Sequence, residues 1–500
     1  MTSTPVFHTA TMYWPAMNRI LLGAIFVLLS LSACRSEGEV ERPNILFLFA
    51  DDQRADALGA YGNEFVRTPA LDRLSGAAFN FREAHIMGSI HGAVCAPSRA
   101  MLMSGRSLYH VYDRLDTVAT FPEQLRNNGY VTFGTGKWHQ SRASFARSFS
   151  QGQNIFFGGM SDHNDVPIQD LTSDAEFTEV ERKGFSTDLF ADAAIDFIDQ
   201  YADSDTTAPF LAYVSFTTPH DPRTPKPEYL ALDEDELPPL PPNYLPVHPF
   251  HNGWMTGRDE RLAAWPRPPA DVRSQLAEYY GIISHMDDRI GDILAALDHY
   301  GMRDNTIVVF ASDNGLALGS HGLLGKQSLY EHSNRVLLMI AGPGIEAGSS
   351  NALVTLYDVF PTLAHMTGME LPMGVDGSDL SGIIQGRSKG VRNELYTVYE
   401  DIHRAIRDDR WKLIRYPKLD RIQLFDLKND PFEIEDLSGD ESYAEQIARL
   451  TALMELEHDR MDDPHPLWVD SLHSEVFDYD KIDRRPDRHQ PQWVIDKYFD

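Results

Sequence analysis

The chain has 500 residues, 42% hydrophobic and 24% charged, with 44 Lys+Arg against 74 Asp+Glu and a formal charge of −30. That composition excludes a disordered or low-complexity chain, and the acidic balance argues against nucleic acid as the main partner, because phosphate backbones demand basic patches. An anionic substrate is still allowed if a few cations and a metal make one pocket locally positive.

In chain order, Arg19 precedes an apolar run from Ile20 to Ala33, too short to span a bilayer comfortably but suited to a signal-peptide core. The run ends Leu31-Ser32-Ala33-Cys34, which resembles a bacterial lipoprotein signal. Residues 1–34 therefore read as a lipoprotein-type signal peptide, with Met17 a candidate start. Lipidated Cys34 would anchor the protein to a membrane of the bacterial cell envelope, facing the periplasm or cell surface, without spanning it. An ordinary signal cleaved near Ala33 is the alternative. Cys34 and Cys95 are the two cysteines, so lipidation of the first leaves no disulfide.

Five short apolar runs read as strands buried on both faces: Ile45–Phe49, Tyr130–Phe133, Phe210–Phe216, Thr306–Phe310 and Val336–Ile340. The first four lead into Asp51-Asp52, Lys137 and His139, His220, and Asp313-Asn314. The last ends at the Pro343-Gly344 turn. An amphipathic helix is expected from about Leu276 to Tyr300, with Gly301 ending it. Strands alternating with helices predict an α/β fold with a large, mainly parallel sheet, which binds ligands outside the carboxyl ends of its strands. The Pro- and aromatic-rich stretch from Pro238 to Trp265 reads as an insertion over that sheet. The runs Leu395–Tyr399, Trp411–Ile414 and Leu424–Leu427, then a helix from about Ser442 to Arg460, predict a small antiparallel sheet plus helix. These elements divide the chain into a catalytic domain (43–388), a C-terminal subdomain (389–462) and a tail (463–500) whose aromatics pack on the body.

The chemistry concentrates at Cys95-Ala-Pro-Ser-Arg99, followed by Gly105-Arg106. Pro97 suits the first turn of a helix and Gly105 its end, so Cys95 would sit at a helix N-terminus, where free N–H groups favour an anion. This run resembles the signature of the formylglycine-dependent sulfatases of the alkaline-phosphatase-like superfamily, in which Cys-x-Pro-x-Arg directs oxidation of the cysteine to formylglycine. Gly129 to His139 is similar to the family's second signature. The first Asp pair, Pro219-His220, Ser312-Asp313-Asn314-Gly315 and Gly325-Lys326 fall in family order. The run Ala84 to Met103 has the look of bacterial polysaccharide-active sulfatases.

The resemblance implies one site. Asp51, Asp52, Asp313, Asn314 and modified residue 95 would hold one divalent cation, and their hard oxygens suit Ca²⁺. Residue 95, matured by a formylglycine-generating enzyme, would attack sulfur as a geminal diol, aided by the metal and Asp313. His220 would protonate the leaving oxygen, with Lys326 binding sulfate beside it. His139 would take the second hydroxyl proton as sulfate is expelled. Arg99 and Lys137 would steady the diol and the developing charge. His91, His321 and Arg223 are candidate substrate contacts from their nearness to these motifs in sequence, as are His163, Asp221 and His332.

The implied activity is hydrolysis of sulfate esters, on saccharides such as oligosaccharides from ulvan or glycosaminoglycans. The nearest rival is a phosphodiester or phosphonate monoester hydrolase of the same superfamily. Asn314 at the fourth ligand position weighs against it, because phosphoryl relatives more often use a softer site containing His. A non-catalytic glycan-binding lipoprotein is the alternative from another class.

Overall fold

The computed structural model describes residues 1–6, 8, 42–230 and 237–499. Cys34 and nearly all of the N-terminal signal lie outside them. Residues 43–500 form one compact unit, and residues 1–42 are a separate one. No helix among the described residues is long and apolar enough to cross a membrane.

The Asn44–Ala50 strand organises the body, and its seven residues are all buried. Successive side chains of a strand point to opposite faces. Ile45, Phe47 and Phe49 therefore enter one apolar core, and Leu46, Leu48 and Ala50 enter another on the opposite face. The first core includes Ala100 to Met103 of the Cys95–Ser104 helix and Val398, Ile406 and Leu413 of the C-terminal sheet. The second includes Phe190 and Phe197 of the Ser186–Ala202 helix and Met286 and Ile290 of the Pro269–His299 helix. A strand covered twice needs apolar residues at every position, hence the unbroken run.

This strand lies in a ten-stranded sheet. At its centre, Thr306–Ser312, Asn44–Ala50, Phe210–Ser215, Val131–Lys137 and Gln151–Phe156 are parallel neighbours in that order. Antiparallel pairings lie toward both edges. The register sets Ala50 beside Ser312 and Phe49 beside Ser215. Four neighbouring strands thus deliver their next residues to one edge. Gly136 makes one of these approaches possible: a Cβ there would meet the Ser215 carbonyl at 1.9 Å, and φ is +86°.

Two expectations shift in detail. The run Val336–Ile340 is not one strand. Arg335–Val336 pairs with Ala84–His85 in a three-stranded sheet, while Leu338–Ala341 joins the main sheet antiparallel to Thr306–Ser312. The long helix begins at Pro269, ahead of Leu276, and ends at His299 with Gly301 in the left-handed region. A second, five-stranded sheet contains Leu395–Tyr399, His403–Arg407, Trp411–Tyr416 and Arg421–Asp426, antiparallel in sequence order. Its fifth strand, Gly88–Ser89, comes from the main body and pairs parallel to Leu395–Tyr399. The Ala444–Arg460 helix follows. In the tail, Val494 and Tyr498 are buried, and Tyr498 donates to Glu278 at 2.8 Å.

Candidate active site

The strand ends build the site directly. Asp51 and Asp52 follow the Asn44–Ala50 strand, and Asp313 and Asn314 follow its neighbour Thr306–Ser312. Each pair is locked to the other: the Asp313 N–H donates to the Ala50 carbonyl at 3.1 Å, and the Asp52 N–H donates to Asp313 Oδ1 at 2.9 Å. Asp52 holds φ +67° and His139 φ +64°. Such left-handed non-glycine residues are uncommon and gather at functional sites.

Cys95 is the first residue of its helix and is 2% exposed. Its Sγ lies 3.3 Å from His139 Nδ1, 3.4 Å from Lys137 Nζ and 4.0 Å from Lys326 Nζ. Each cation has a buried carboxylate partner. Lys137 Nζ meets Asp51 Oδ2 at 2.5 Å, Lys326 Nζ meets Asp52 Oδ1 at 2.5 Å, and Arg99 Nε meets Asp313 Oδ2 at 2.9 Å. Arg99 also donates to the Lys137 carbonyl at 2.8 Å and to Ser215 Oγ at 2.6 Å. Ser98 Oγ donates to the Asp313 carbonyl at 2.5 Å, which ties the cysteine helix to the second acidic pair.

Burial dominates the electrostatics. It pushes Asp51 well above the usual carboxylate range, with Asp313 and Asp52 adding to the rise against Lys137. Burial also opposes ionisation of Asp52, but His220, Lys326 and Lys137 outweigh it and hold that carboxyl low. His139 falls well below the ordinary imidazole value through burial and the neighbouring Lys137 and Arg99. Burial lowers His220 to about 4. Both rings are therefore neutral near pH 7. His220 Nδ1 donates to the Asp221 carbonyl at 2.8 Å, and Nε2 lies 3.7 Å from Asp52 Oδ2.

The group fits a hard cation. Asp51 Oδ1 and Asn314 Oδ1 are buried and have no hydrogen-bond partner, a condition a protein interior rarely leaves uncorrected. Ligand atoms of Asp51, Cys95 and Asp313 lie within 4.8 Å of one another, as do those of Asp51, Asp52 and His220. Another cluster, Glu83, His85 and Glu331, is different. Arg407 Nη1 sits within it, 2.9, 2.8 and 2.9 Å from the three side chains, so an arginine already supplies the positive charge.

A cavity of about 250 Å³ opens over Cys95, His139, His220 and Lys326. The structure thus gathers Asp51, Asp52, Cys95, Arg99, Lys137, His139, His220, Asp313, Asn314 and Lys326 at one place. It does not bring His91, His321 or Arg223 to the cavity wall. The His91 side chain, 41% exposed, pairs with Asp113. His321 stacks on Tyr330, ring centres 3.9 Å apart. Arg223 bonds Gln275 at 3.2 Å and lies over Tyr279. His163 stands behind His220, with Nε2 2.9 Å from its carbonyl. Sequence reading missed Trp254, Arg258, Asp259 and Gln327, which line the cavity. Three come from the Pro238 to Trp265 insertion, whose signal was its Pro and aromatic content.

Fold and site together define an α/β protein whose polar residues gather around a buried cysteine at the carboxyl ends of a doubly covered sheet. Residues 43–369 match the Sulfatase family model, and residues 319–460 match that of the N-sulphoglucosamine sulphohydrolase C-terminal region. The chain belongs to the sulfatase family and is a sulfuric ester hydrolase. It is 26% identical to an N-acetylglucosamine-6-O-sulfatase of Bacteroides thetaiotaomicron, covering 85% of this chain and 88% of the relative. It is 28% identical to an ulvan-active sulfatase of Formosa agariphila, over 85% of this chain and 83% of the relative. A solved structure of a protein bound to its substrate D-glucosamine-2-N,6-O-disulfate superposes with a TM-score of 0.72 at 24% identity, covering 85% of this chain and 99% of the other.

Proposed function

We propose that the protein removes sulfate from carbohydrate sulfate esters, such as oligosaccharides of ulvan, through a formylglycine made from Cys95 by a maturation enzyme. One observation carries this reading. Cys95 is buried at a helix N-terminus with one imidazole and two ammonium groups within 4.0 Å of its sulfur. A plain buried thiol has no use for that surrounding, and burial raises its pKa despite Lys137 and Lys326. Sγ marks where an oxygen of the oxidised, hydrated side chain would lie.

Asp51, Asp52, Asp313, Asn314 and that oxygen would hold one Ca²⁺, the orphaned oxygens of Asp51 and Asn314 taking it up directly. Bound there, the ion supplies a Lewis acid that favours ionisation of a hydroxyl and draws in sulfate. Arg99 holds Asp313 and the Lys137 carbonyl in place. Lys137 and Lys326 face the position where negative charge develops. Neutral His139, with Nδ1 toward residue 95, is placed to accept its proton. His220 keeps Nδ1 occupied by the Asp221 carbonyl, so it must take up a proton at Nε2 to act as an acid, a step the charge of a bound sulfate ester favours.

The relatives named for N-acetylglucosamine 6-O-sulfate and for ulvan support a saccharide substrate. The Cys34 signal supports a lipid anchor in the bacterial envelope. The test is sulfate release from sulfated mono- and oligosaccharides, beside an aryl sulfate and an aryl phosphonate. We expect saccharide turnover and a faster aryl sulfate. Preference for the phosphonate refutes the sulfatase chemistry. Aryl sulfate turnover with every saccharide inert refutes the carbohydrate assignment.

A further inference from the structure

The cavity has a second half that the sulfate chemistry does not use. Beyond Cys95 and His220 its wall is Trp254, Arg258, Asp259 and Gln327. This is where the alcohol portion of a bound ester must lie, because the sulfate occupies the end with the cations. The Trp254 ring is set edge-on to Tyr399 of the second sheet, with centres 5.5 Å apart, which fixes an aromatic face on the wall.

Arg258 is the cation on this wall, and three carboxylates surround it. Its Nη1 bonds Asp259 at 2.6 Å and Asp221 at 3.0 Å, and its Nη2 pairs with the other oxygen of Asp221. Its Nε bonds Asp487 at 2.6 Å. Asp487 belongs to the C-terminal tail, beyond both family matches, which end at residues 369 and 460. Gln490 of the same tail donates to Asp221 at 3.1 Å, and Gln327 donates to Asp259 at 2.8 Å. Four of the five guanidinium N–H groups are thus engaged. The fifth, on Nη2, has no partner among the described residues, and the side chain is 31% exposed. Asp259 shares the cavity wall with Arg258, while Asp221 and Asp487 stand behind it; even with Arg223 also acting on Asp221, two guanidinium groups against three carboxylates leave the cluster net negative. Its remaining donor is rigid, because a fork held on three sides has lost its rotamer freedom.

We propose that Arg258, fixed by Asp221, Asp259 and the tail residue Asp487, is a specificity-determining residue that selects an uncharged, hydroxyl-bearing sugar beside the scissile sulfate and rejects a second anionic group. The inference rests on the saccharide reading above and names the class of sugar. A hydroxyl oxygen accepts from the free Nη2 N–H, the Asp259 carboxylate on the wall accepts from a neighbouring hydroxyl, and Trp254 covers an apolar sugar face. A second sulfate or a uronic carboxylate would face the Asp259 carboxylate on the wall, with the charges of Asp221 and Asp487 behind Arg258 adding to the repulsion across a site of intermediate dielectric. Asp487 acts as a positioning residue through Arg258 and through its charge.

The experiment measures kcat/KM of the mature protein for the monosulfated hexose it cleaves and for the same hexose carrying a second sulfate on the adjacent carbon. The parent should prefer the monosulfated sugar by at least about tenfold, the effect of one nearby unit charge in such a site. Asp487→Asn should shrink that preference by about threefold, and Asp487→Glu should restore it. A ratio is insensitive to partial loss of folding or maturation, which lowers both rates together. Equal or better turnover of the disulfated sugar overturns the proposal, as does an unchanged ratio in Asp487→Asn. Either result leaves the saccharide reading standing, since both substrates are sulfated sugars.

Discussion

Replacing Lys326 by Met removes one charge while keeping most of the stem, and it separates two roles that the geometry gives this residue. The ammonium lies 2.5 Å from Asp52 Oδ1 and 4.0 Å from the sulfur of residue 95, with both lysine and aspartate buried. Breaking a buried pair by removing one partner costs about 3–5 kcal/mol, because the other charge is left behind. Here Asn314 Nδ2 still donates to the same oxygen at 2.8 Å, so the lower end, about 3 kcal/mol, is expected. A bound cation would give Asp52 a further partner and reduce the loss. Catalysis should fall further than stability predicts. One donor aimed at developing charge is worth about 10²–10³ in kcat. Urea denaturation with and without chelator measures the first effect, and aryl sulfate turnover at saturating Ca²⁺ measures the second. A variant within about threefold of the parent in kcat would refute the reasoning for Lys326, and a stability loss that Ca²⁺ does not reduce would refute the metal's place beside Asp52.

Intact mass of the protein produced without its signal segment should be about 18 Da below that calculated for the same chain with cysteine at 95, from replacing CH₂SH by CHO, and Cys95→Ala should abolish turnover; full activity in that variant would sink the nucleophile assignment. Chelation should abolish activity and Ca²⁺ should restore it; recovery with Zn²⁺ alone would overturn the hard-cation reading of Asp51, Asp52, Asp313 and Asn314. Acid should weaken the fold through three buried imidazoles. Burial lowers His248 to about 4 and His321 and His403 to about 3. The unfolded chain protonates these groups near pH 6.5 while the folded one does not, so stability falls as pH drops from 6.5 toward 4. Each contributes about 2 kcal/mol of loss by pH 5. An unchanged urea midpoint between pH 7.5 and pH 5 would contradict this.

The central sheet was legible because burial on both faces writes an unbroken apolar run, and four such runs preceded the polar residues that now share one edge. Parallel register did the rest, since adjacent strands of equal direction must end together. The split at Leu337 was not legible. Ser312 Oγ accepts from the Leu337 N–H, and the Ser312 N–H donates to the Leu337 carbonyl at 3.2 Å, so a tertiary pairing decides where one strand stops. The early start of the long helix was hidden because only Val272 and Gln275 are buried before Leu276, leaving no apolar period to read. His321 and Arg223 illustrate the opposite error. Both follow motif residues closely in sequence, yet their chains turn away, toward Tyr330 and toward Gln275. Trp254 and Arg258 sit in an irregular insertion whose path depends on packing against Tyr399 and the tail, and no local pattern encodes that.

The acidic composition and the anionic substrate are reconciled at atomic scale. Asp51, Asp52 and Asp313 are matched by Lys137, Lys326 and Arg99, so the buried machinery is balanced, with no net positive charge to attract sulfate. A divalent cation bound in that balanced site would tip it to about +2 and confine a strong positive field to one end of the cavity. The opposite end, around Arg258, keeps its surplus of carboxylates. An ester entering such a dipolar cavity is oriented before any contact is complete: its sulfate is drawn toward residue 95, and its alcohol portion is left against Trp254. With a cation bound, surplus negative charge elsewhere on the protein would work in favour of selectivity, because it disfavours anions away from that one end.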